Sequence, residues 1–334
     1  MSAEHAALRI LIRLPNWLGD ALMARPLLHA LRAAHPDAEV RALGPAPLLE
    51  LLAAERTFDR GEPWPGDGRE RGALARALRA WRPDAALILP FSFSSARFAL
   101  AAGASRRIGY AHEARSFMLT EALRRPPRGE LHLSREYLAL GARLGAREVA
   151  LPKLAVRAEA HDAARALVGE AAAGRGVAVI APRSAYGPAR QWPAERFAAL
   201  ARALIAGGRT VLVAGTGAEA DTCAAVADAA GEGARSIAGR TTLPVLAALV
   251  AAADVAVCND SGLAHLAGAV GTPTVTLYGS TSSAWTTALG PRVRIIQHPP
   301  VCSPCFRRTC AIGYRCLTAI DVAEVAGACR AMTR

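Results

Sequence analysis

Apolar runs of strand length recur along the chain, separated by stretches in which apolar residues return every three or four positions. Six stand out: LRILIRL at 8–14, DAALILP at 84–90, GVAVIAP at 176–182, RTVLVAG at 209–215, DVAVCN at 254–259 and TVTLYG at 274–279. Continuous runs, rather than strict alternation, mark strands buried on both faces, and helices between them predict βαβ units with parallel sheets. The series restarts after 151–175, a segment without a strong strand that finishes at Gly174 with Gly176 just beyond, and the inter-domain connection is placed there. The expected fold is therefore α/β, with two Rossmann-like doubly wound domains, 1–157 and 158–334, facing one another. A C-terminal helix is placed to return to the first domain.

In open parallel sheets, ligands bind outside the carboxyl ends of the strands. After 8–14 comes PNWLGDALMARPLLHAL, where Gly19 permits a tight turn and Asp20 lands at a helix start as a cap or a reactive carboxylate. Pro26 predicts that this helix kinks or restarts. After 176–182, Arg190 precedes a helix opened by Pro193, striped by Phe197, Leu200 and Leu204 and ended at Gly207–Gly208. A cation beside free helix N–H groups suits a diphosphate. After 254–259, Asp260 and Ser261 are placed to cap a helix carrying Leu263, Leu266 and Val270, with His265 one turn beyond Ser261 and Gly262 open to a phosphate. The loop at 215–220, GTGAEA, has the G-x-G-x-x-A spacing of a dinucleotide site and raises a nicotinamide-dependent oxidoreductase as a rival. It follows the second strand after the restart, whereas that fingerprint normally follows the first. Glu219 in this loop is either a ribose acceptor or a helix-start carboxylate.

Length and composition then bound the class. The chain has 334 residues, 52% hydrophobic and 20% charged, enough for two domains with sizeable cores and the opposite of a disordered composition. No apolar run is long enough to span a bilayer, and the N-terminus runs into a strand pattern without a signal-peptide layout, so a cytoplasmic location is expected. Forty Lys and Arg against 28 Asp and Glu leave a net charge of +12. That excess favours an anionic partner, although an Ala- and Arg-rich bias accounts for part of it. With 5% aromatic residues and basic residues dispersed through both halves, nucleic acid is the partner least supported.

Cys302, Cys305, Cys310 and Cys316 fall within fifteen residues, in CSPCFRRTCAIGYRC. A C-x2-C pair followed by two more thiols suits a structural zinc or iron site, or four reduced and packed thiols. Cys223, Cys258 and Cys329 stand alone and read as core residues.

Taken together, RLPNWLGDALMARPLLHAL, LPFSFSSA, RIGYA, YGPARQWP, IAGRTTL, NDSGLAHLAGAVGTPTVTLYGST and CSPCFRRTC resemble the ADP-heptose:lipopolysaccharide heptosyltransferases, over nearly the whole chain. The resemblance implies the GT-B fold and inverting transfer of L-glycero-D-manno-heptose from ADP-heptose to the first heptose of the lipopolysaccharide inner core, at the cytoplasmic face of the inner membrane. It implies that Asp20 is the general base, that Arg190 stands opposite the departing ADP, and that Ser261 and Gly262 bind the donor phosphates. Asp260 and His265 line the donor sugar and phosphate, Glu219 takes the ribose, and Thr241 lies near the adenine. No cofactor is required for this chemistry. Three positions depart from the family: Arg190 replaces Lys, Pro182-Arg183-Ser184 replaces P-G-A in the donor loop, and Phe91 stands where relatives often carry Asn.

Overall fold

The computed structural model describes residues 7–169 and 175–333; Gly174, the expected end of the connection, lies outside them. The chain divides into two units, Met1–Pro152 and Lys153–Arg334. The first contains β1 (Arg9–Arg13), β2 (Glu39–Gly44), β3 (Arg60–Pro63), β4 (Ala85–Ile88), β5 (Arg106–Tyr110) and β6 (Glu121–Leu123). The second contains β7 (Gly176–Ala181), β8 (Arg209–Val213), β9 (Ala234–Ser236), β10 (Val255–Asn259), β11 (Thr274–Tyr278) and β12 (Val293–Gln297).

Each unit folds its six strands into one parallel sheet, ordered β3-β2-β1-β4-β5-β6 in the first and β12-β11-β10-β7-β8-β9 in the second. Counted from its own first strand, each sheet runs 3-2-1-4-5-6, the Rossmann order. The topological switch therefore falls between β1 and β4 in one unit and between β7 and β10 in the other. Chain direction reverses its sideways progress there, and the loops leaving the two strands diverge and open a crevice. The apolar runs read from the sequence supply the strands that flank both switches; Ile10 and Ile12 of β1 and Val255 and Val257 of β10 are completely buried.

The connecting helices follow their sequence signals. Leu18–Met23 and Arg25–Ala34 are separate helices divided at Ala24, with Pro26 in the first turn of the second. Ala194–Ala206 buries Phe197, Leu200 and Leu204 and ends at Gly207. Helix Ala158–Val168, inside the strandless segment 151–175, packs on helix Leu243–Ala251 of the second unit. The C-terminal helix Val322–Met332 places Val325, Ala326, Ala328 and Cys329 in the core of the second unit, so its buried face is engaged within its own unit.

One buried ion pair organises the first unit. Arg25 and Glu55 meet at 2.5 Å with both side chains 1% exposed. His29 adds a 3.3 Å contact, and Arg25 also donates to the Pro152 carbonyl at 2.8 Å. Burial pushes the Glu55 carboxyl up, but hydrogen bonds from His29 and Arg25 and their charges outweigh it and hold the group below the ordinary carboxylate range. Among the described residues no helix is long and apolar enough to cross a membrane.

Candidate active site

At the switch of the second unit, β10 ends on Asn259 and the chain turns through Asp260 and Ser261 into helix Gly262–Val270. Asp260 is 1% exposed, and its carboxylate faces the Arg190 guanidinium at 3.1 Å and accepts a 2.5 Å bond from the Thr281 hydroxyl. Burial raises its pKa above the usual value, against the pull of Arg190, Thr281 and Tyr278. Neither Asp260 nor Ser261 caps the helix through its side chain, contrary to the sequence expectation: Ser261 holds the N-cap position without a side-chain bond, and Asp260 is turned to Arg190 and Thr281. Among the described residues no side chain caps the Gly262 and Leu263 N–H groups, an arrangement suited to an anion, since the helix dipole favours negative charge there.

Neighbouring loops close on the same point. Ser184, after β7, is 6% exposed and donates to the Asp260 carbonyl at 3.2 Å. Arg190 leaves the short turn Pro188–Arg190 with its guanidinium 3.8 Å from the centre of the Tyr186 ring. After β11, Gly279 lies so close to this turn that a Cβ would come within 2.7 Å of the Ala189 carbonyl, which explains glycine there. Ser261 Oγ and Ser280 Oγ are buried and have no hydrogen-bond partner among the described residues. His265 is buried on the same helix, 5% exposed.

The remaining donor-side candidates stand on adjoining loops. Arg183 is exposed and turned along its own loop, donating to Gln191 Oε1 at 2.9 Å beside a cavity of 260 Å³ lined in part by Trp192, Thr222, Tyr314 and Leu317. Glu219 accepts from the Thr216 N–H at 2.8 Å and its hydroxyl at 3.0 Å, a capping box at a helix start. Thr241 is half-buried and precedes Thr242, the N-cap of helix Leu243–Ala251. The GTGAEA loop follows β8, outside the β7/β10 switch, so its glycines are not placed as a dinucleotide fingerprint requires.

In the first unit, Asp20 sits in the first turn of helix Leu18–Met23 at the carboxyl end of β1. It is not the cap: Trp17 holds that position. The half-buried Asp20 carboxylate lies near Tyr137, whose phenol is pushed well above its ordinary pKa by burial first and then by the charge of Asp20. The loop ahead of it is shaped by Arg13, a buried residue whose guanidinium donates to Asn16 Oδ1 at 2.6 Å, stacks 4.0 Å from the Trp64 ring centre and is pulled down to about 10 by burial. Phe91 packs against Tyr110 and His112 and receives the Arg125 guanidinium 3.7 Å above its ring. The ring at 91 thus forms an aromatic platform for the Arg125 guanidinium.

Three residues of this site were not singled out from the sequence, although they open and close the quoted string 259–281. Asn259 is completely buried; its Oδ1 accepts the Trp192 N–H at 2.9 Å and its Nδ2 donates to the Pro182 carbonyl at 2.9 Å, clamping the ends of β7 and β10 together. Thr281 and Ser280 belong to the YGST string already visible after a predicted strand, which was the available signal.

Among the described residues no group of three or more His, Cys, Asp or Glu is placed to hold a metal. Cys302 is exposed, and the Cys310 thiol is pulled down by backbone N–H bonds from Ile312 and Tyr314. Those bonds employ the sulfur in shaping its own loop. Cys223, Cys258 and Cys329 are buried, as core residues should be.

The signature of glycosyltransferase family 9 (heptosyltransferase) matches residues 71–314. The chain belongs to this family. Lipopolysaccharide heptosyltransferase 2 of Salmonella typhimurium is 30% identical over 306 residues, spanning 87% of this chain and 88% of the relative. The solved structure of Escherichia coli ADP-heptose lps heptosyltransferase II superposes with a TM-score of 0.86 at 28% identity, covering 98% of each chain. The E. coli heptosyltransferase WaaC with ADP superposes at 0.76 and 18% identity, covering 97% of this chain and all of that one, a likeness of fold. As a family 9 member the protein is a glycosyltransferase of the heptosyltransferase group with the GT-B fold, two Rossmann-like domains of six parallel strands each.

Proposed function

We propose that this family 9 enzyme transfers L-glycero-D-manno-heptose, with inversion, from ADP-heptose to the first heptose of the lipopolysaccharide inner core. Residues 1–157 hold the acceptor and 158–334 the ADP-sugar. The observation that carries this reading is the β7/β10 switch, whose loops carry a paired cation, an uncapped helix N-terminus and two buried hydroxyls that have no partner among the described residues. Such a cradle suits a diphosphate.

In the proposed reaction Asp20 takes the proton of the acceptor hydroxyl as its oxygen attacks the anomeric carbon. The bond from that carbon to the diphosphate oxygen breaks, and the electron pair leaves on ADP. Arg190, the N–H groups of Gly262 and Leu263 and the hydroxyl of Ser261 stabilise the departing charge, with Ser184 holding the Asp260 carbonyl of the donor turn, so the step requires no metal. Asp260 holds Arg190 in place from beneath, His265 lines the donor sugar, Arg183 flanks the loop, Glu219 accepts from the ribose and Thr241 lies toward the adenine. The acceptor is a phosphate-bearing lipid, and a net charge of +12 supports peripheral contact with an anionic cytoplasmic membrane face rather than with nucleic acid.

The test is transfer from ADP-heptose to a core acceptor bearing one heptose, by wild type, Asp20→Ala and Asp20→Asn. A positioned general base is worth roughly 10²–10⁴-fold, and a loss of that size with ADP affinity retained is the expected result. Equal rates would remove Asp20 as the base. Equal transfer to an acceptor without the first heptose, or already bearing a second, would move the reading to another acceptor class within the family.

A further inference from the structure

The cysteine-rich segment acts as a strap across the donor loops. Ser303 Oγ donates to the Gly279 carbonyl at 3.2 Å, the Phe306 N–H to the Ser280 carbonyl at 2.8 Å, and the Ala189 N–H to the Arg308 carbonyl at 3.0 Å. The Tyr186 hydroxyl donates to the Phe306 carbonyl, and Arg308 Nε returns a 2.7 Å bond to the Tyr186 carbonyl. Backbone meets backbone at Gly187, which has φ +139°; a Cβ there would stand 2.7 Å from the Arg308 carbonyl oxygen. The strap therefore fixes where the Arg308 side chain starts and which way it leaves.

That direction brings a second cation to the Tyr186 ring. The Arg190 guanidinium lies 3.8 Å from the ring centre and the Arg308 guanidinium 5.8 Å from it. Asp260 is the one carboxylate paired with Arg190, whereas the Arg308 Nη atoms meet no carboxylate or other acceptor among the described residues. Two guanidinium groups share one ring and, among the described residues, only Arg190 has a carboxylate partner, so the exposed Arg308 leaves unbalanced positive charge beside the loop of Ser280, whose hydroxyl has no partner among the described residues. An anion carrying more than one charge meets that requirement.

We infer that Arg308 is a donor-binding residue, a second guanidinium that contacts the terminal phosphate of the bound nucleoside diphosphate alongside Arg190. The inference rests on the proposed ADP-sugar reading, and pyrophosphate tests it independently of the nucleoside. Binding of ADP, AMP and inorganic pyrophosphate would be measured by calorimetry on wild type, Arg308→Gln and Arg308→Lys, with thermal melts of all three. Gln can still donate to the Tyr186 carbonyl but carries no charge; Lys restores the charge.

Arg308→Gln is expected to weaken ADP and pyrophosphate at least tenfold, as loss of a charged hydrogen bond does, with AMP changed less than threefold and Arg308→Lys recovering most of the loss. Unchanged ADP affinity in Arg308→Gln would overturn the inference. So would an equal loss for ADP and AMP that Lys does not restore, since that is the behaviour of a loop anchor. Wild type binding pyrophosphate but not ADP would refute the donor reading and leave Arg308 standing; wild type binding neither would refute both.

Discussion

Asn259 offers the sharpest single test of how the second unit builds its site. It is completely buried, and its amide spans two backbone groups that have no other means of reaching each other: the N–H of Trp192, which is 1% exposed, and the carbonyl of Pro182. Asn259→Leu keeps the volume and removes both bonds. Each buried backbone group left unpaired costs about 1–3 kcal/mol, so the expected loss is roughly 2–6 kcal/mol, accompanied by weaker ADP binding because both groups flank the donor loop. Asn259→Asp keeps the acceptor for Trp192 but turns an oxygen toward the Pro182 carbonyl. That oxygen can donate only when protonated, and burial without a cationic partner raises its pKa above the ordinary range. A carboxyl whose pKa is higher in the folded than in the unfolded chain adds stability below its unfolded value and loses it as pH rises through the folded one. Asn259→Asp is therefore expected to approach wild type at pH 4–5 and to fall away toward pH 8. Urea unfolding of the three proteins, followed by circular dichroism at both ends of that range, reads the difference. A Leu variant within about 1 kcal/mol of wild type, or an Asp variant whose deficit does not grow with pH, would refute the clamp.

Two further substitutions probe other parts of the molecule. Arg25→Met leaves the Glu55 carboxylate 1% exposed with only His29 beside it, and urea unfolding should show a loss of about 3–5 kcal/mol. In wild type the depressed Glu55 pKa contributes stability that is complete above the ordinary carboxylate range and lost as pH falls through the folded value; the Met variant should be flatter in that acid window. Gly187→Ala places a side chain at φ +139° and against the Arg308 carbonyl, with an expected cost of about 1–3 kcal/mol. Calorimetry should show ADP binding weakened with it; retained affinity would mean that the strap and the donor loop move independently.

The strands legible from hydropathy are the ones that flank the switches: β1 and β4, β7 and β10, and their neighbours β8 and β11. They lie in sheet interiors, so both faces are apolar and the run is continuous. The edge strands β3, β6 and β9 carry RGEP, EAL and ARS, which have too few apolar positions to register, edge strand β12 (VRIIQ) is interrupted by Arg294, and interior β2 and β5 are masked by Arg41, Arg106 and Arg107. The rival dinucleotide spacing at 215–220 was equally visible, and its place after the second strand of the unit, outside the β7/β10 switch, is the one already read from the sequence.

Local chemistry was written in the chain: Asp20 after the first strand, Arg190 ahead of its helix, and the D-S-G-x-x-H turn after β10. Such features depend on neighbours within a few residues, and backbone geometry translates them directly. What the turn does with its side chains was decided elsewhere. Asp260 faces Arg190 instead of capping its helix, Asn259 joins Pro182 to Trp192, Arg25 finds Glu55, and Arg308 reaches Tyr186 across more than a hundred residues. These partners are separated by 30 or more residues in the chain and meet only because the packed elements bring them together, at the carboxyl ends of parallel strands in the second unit and between a helix and a turn in the first. A burial term that acts on whole elements sets those meetings, and no residue declares its partner until the elements are packed.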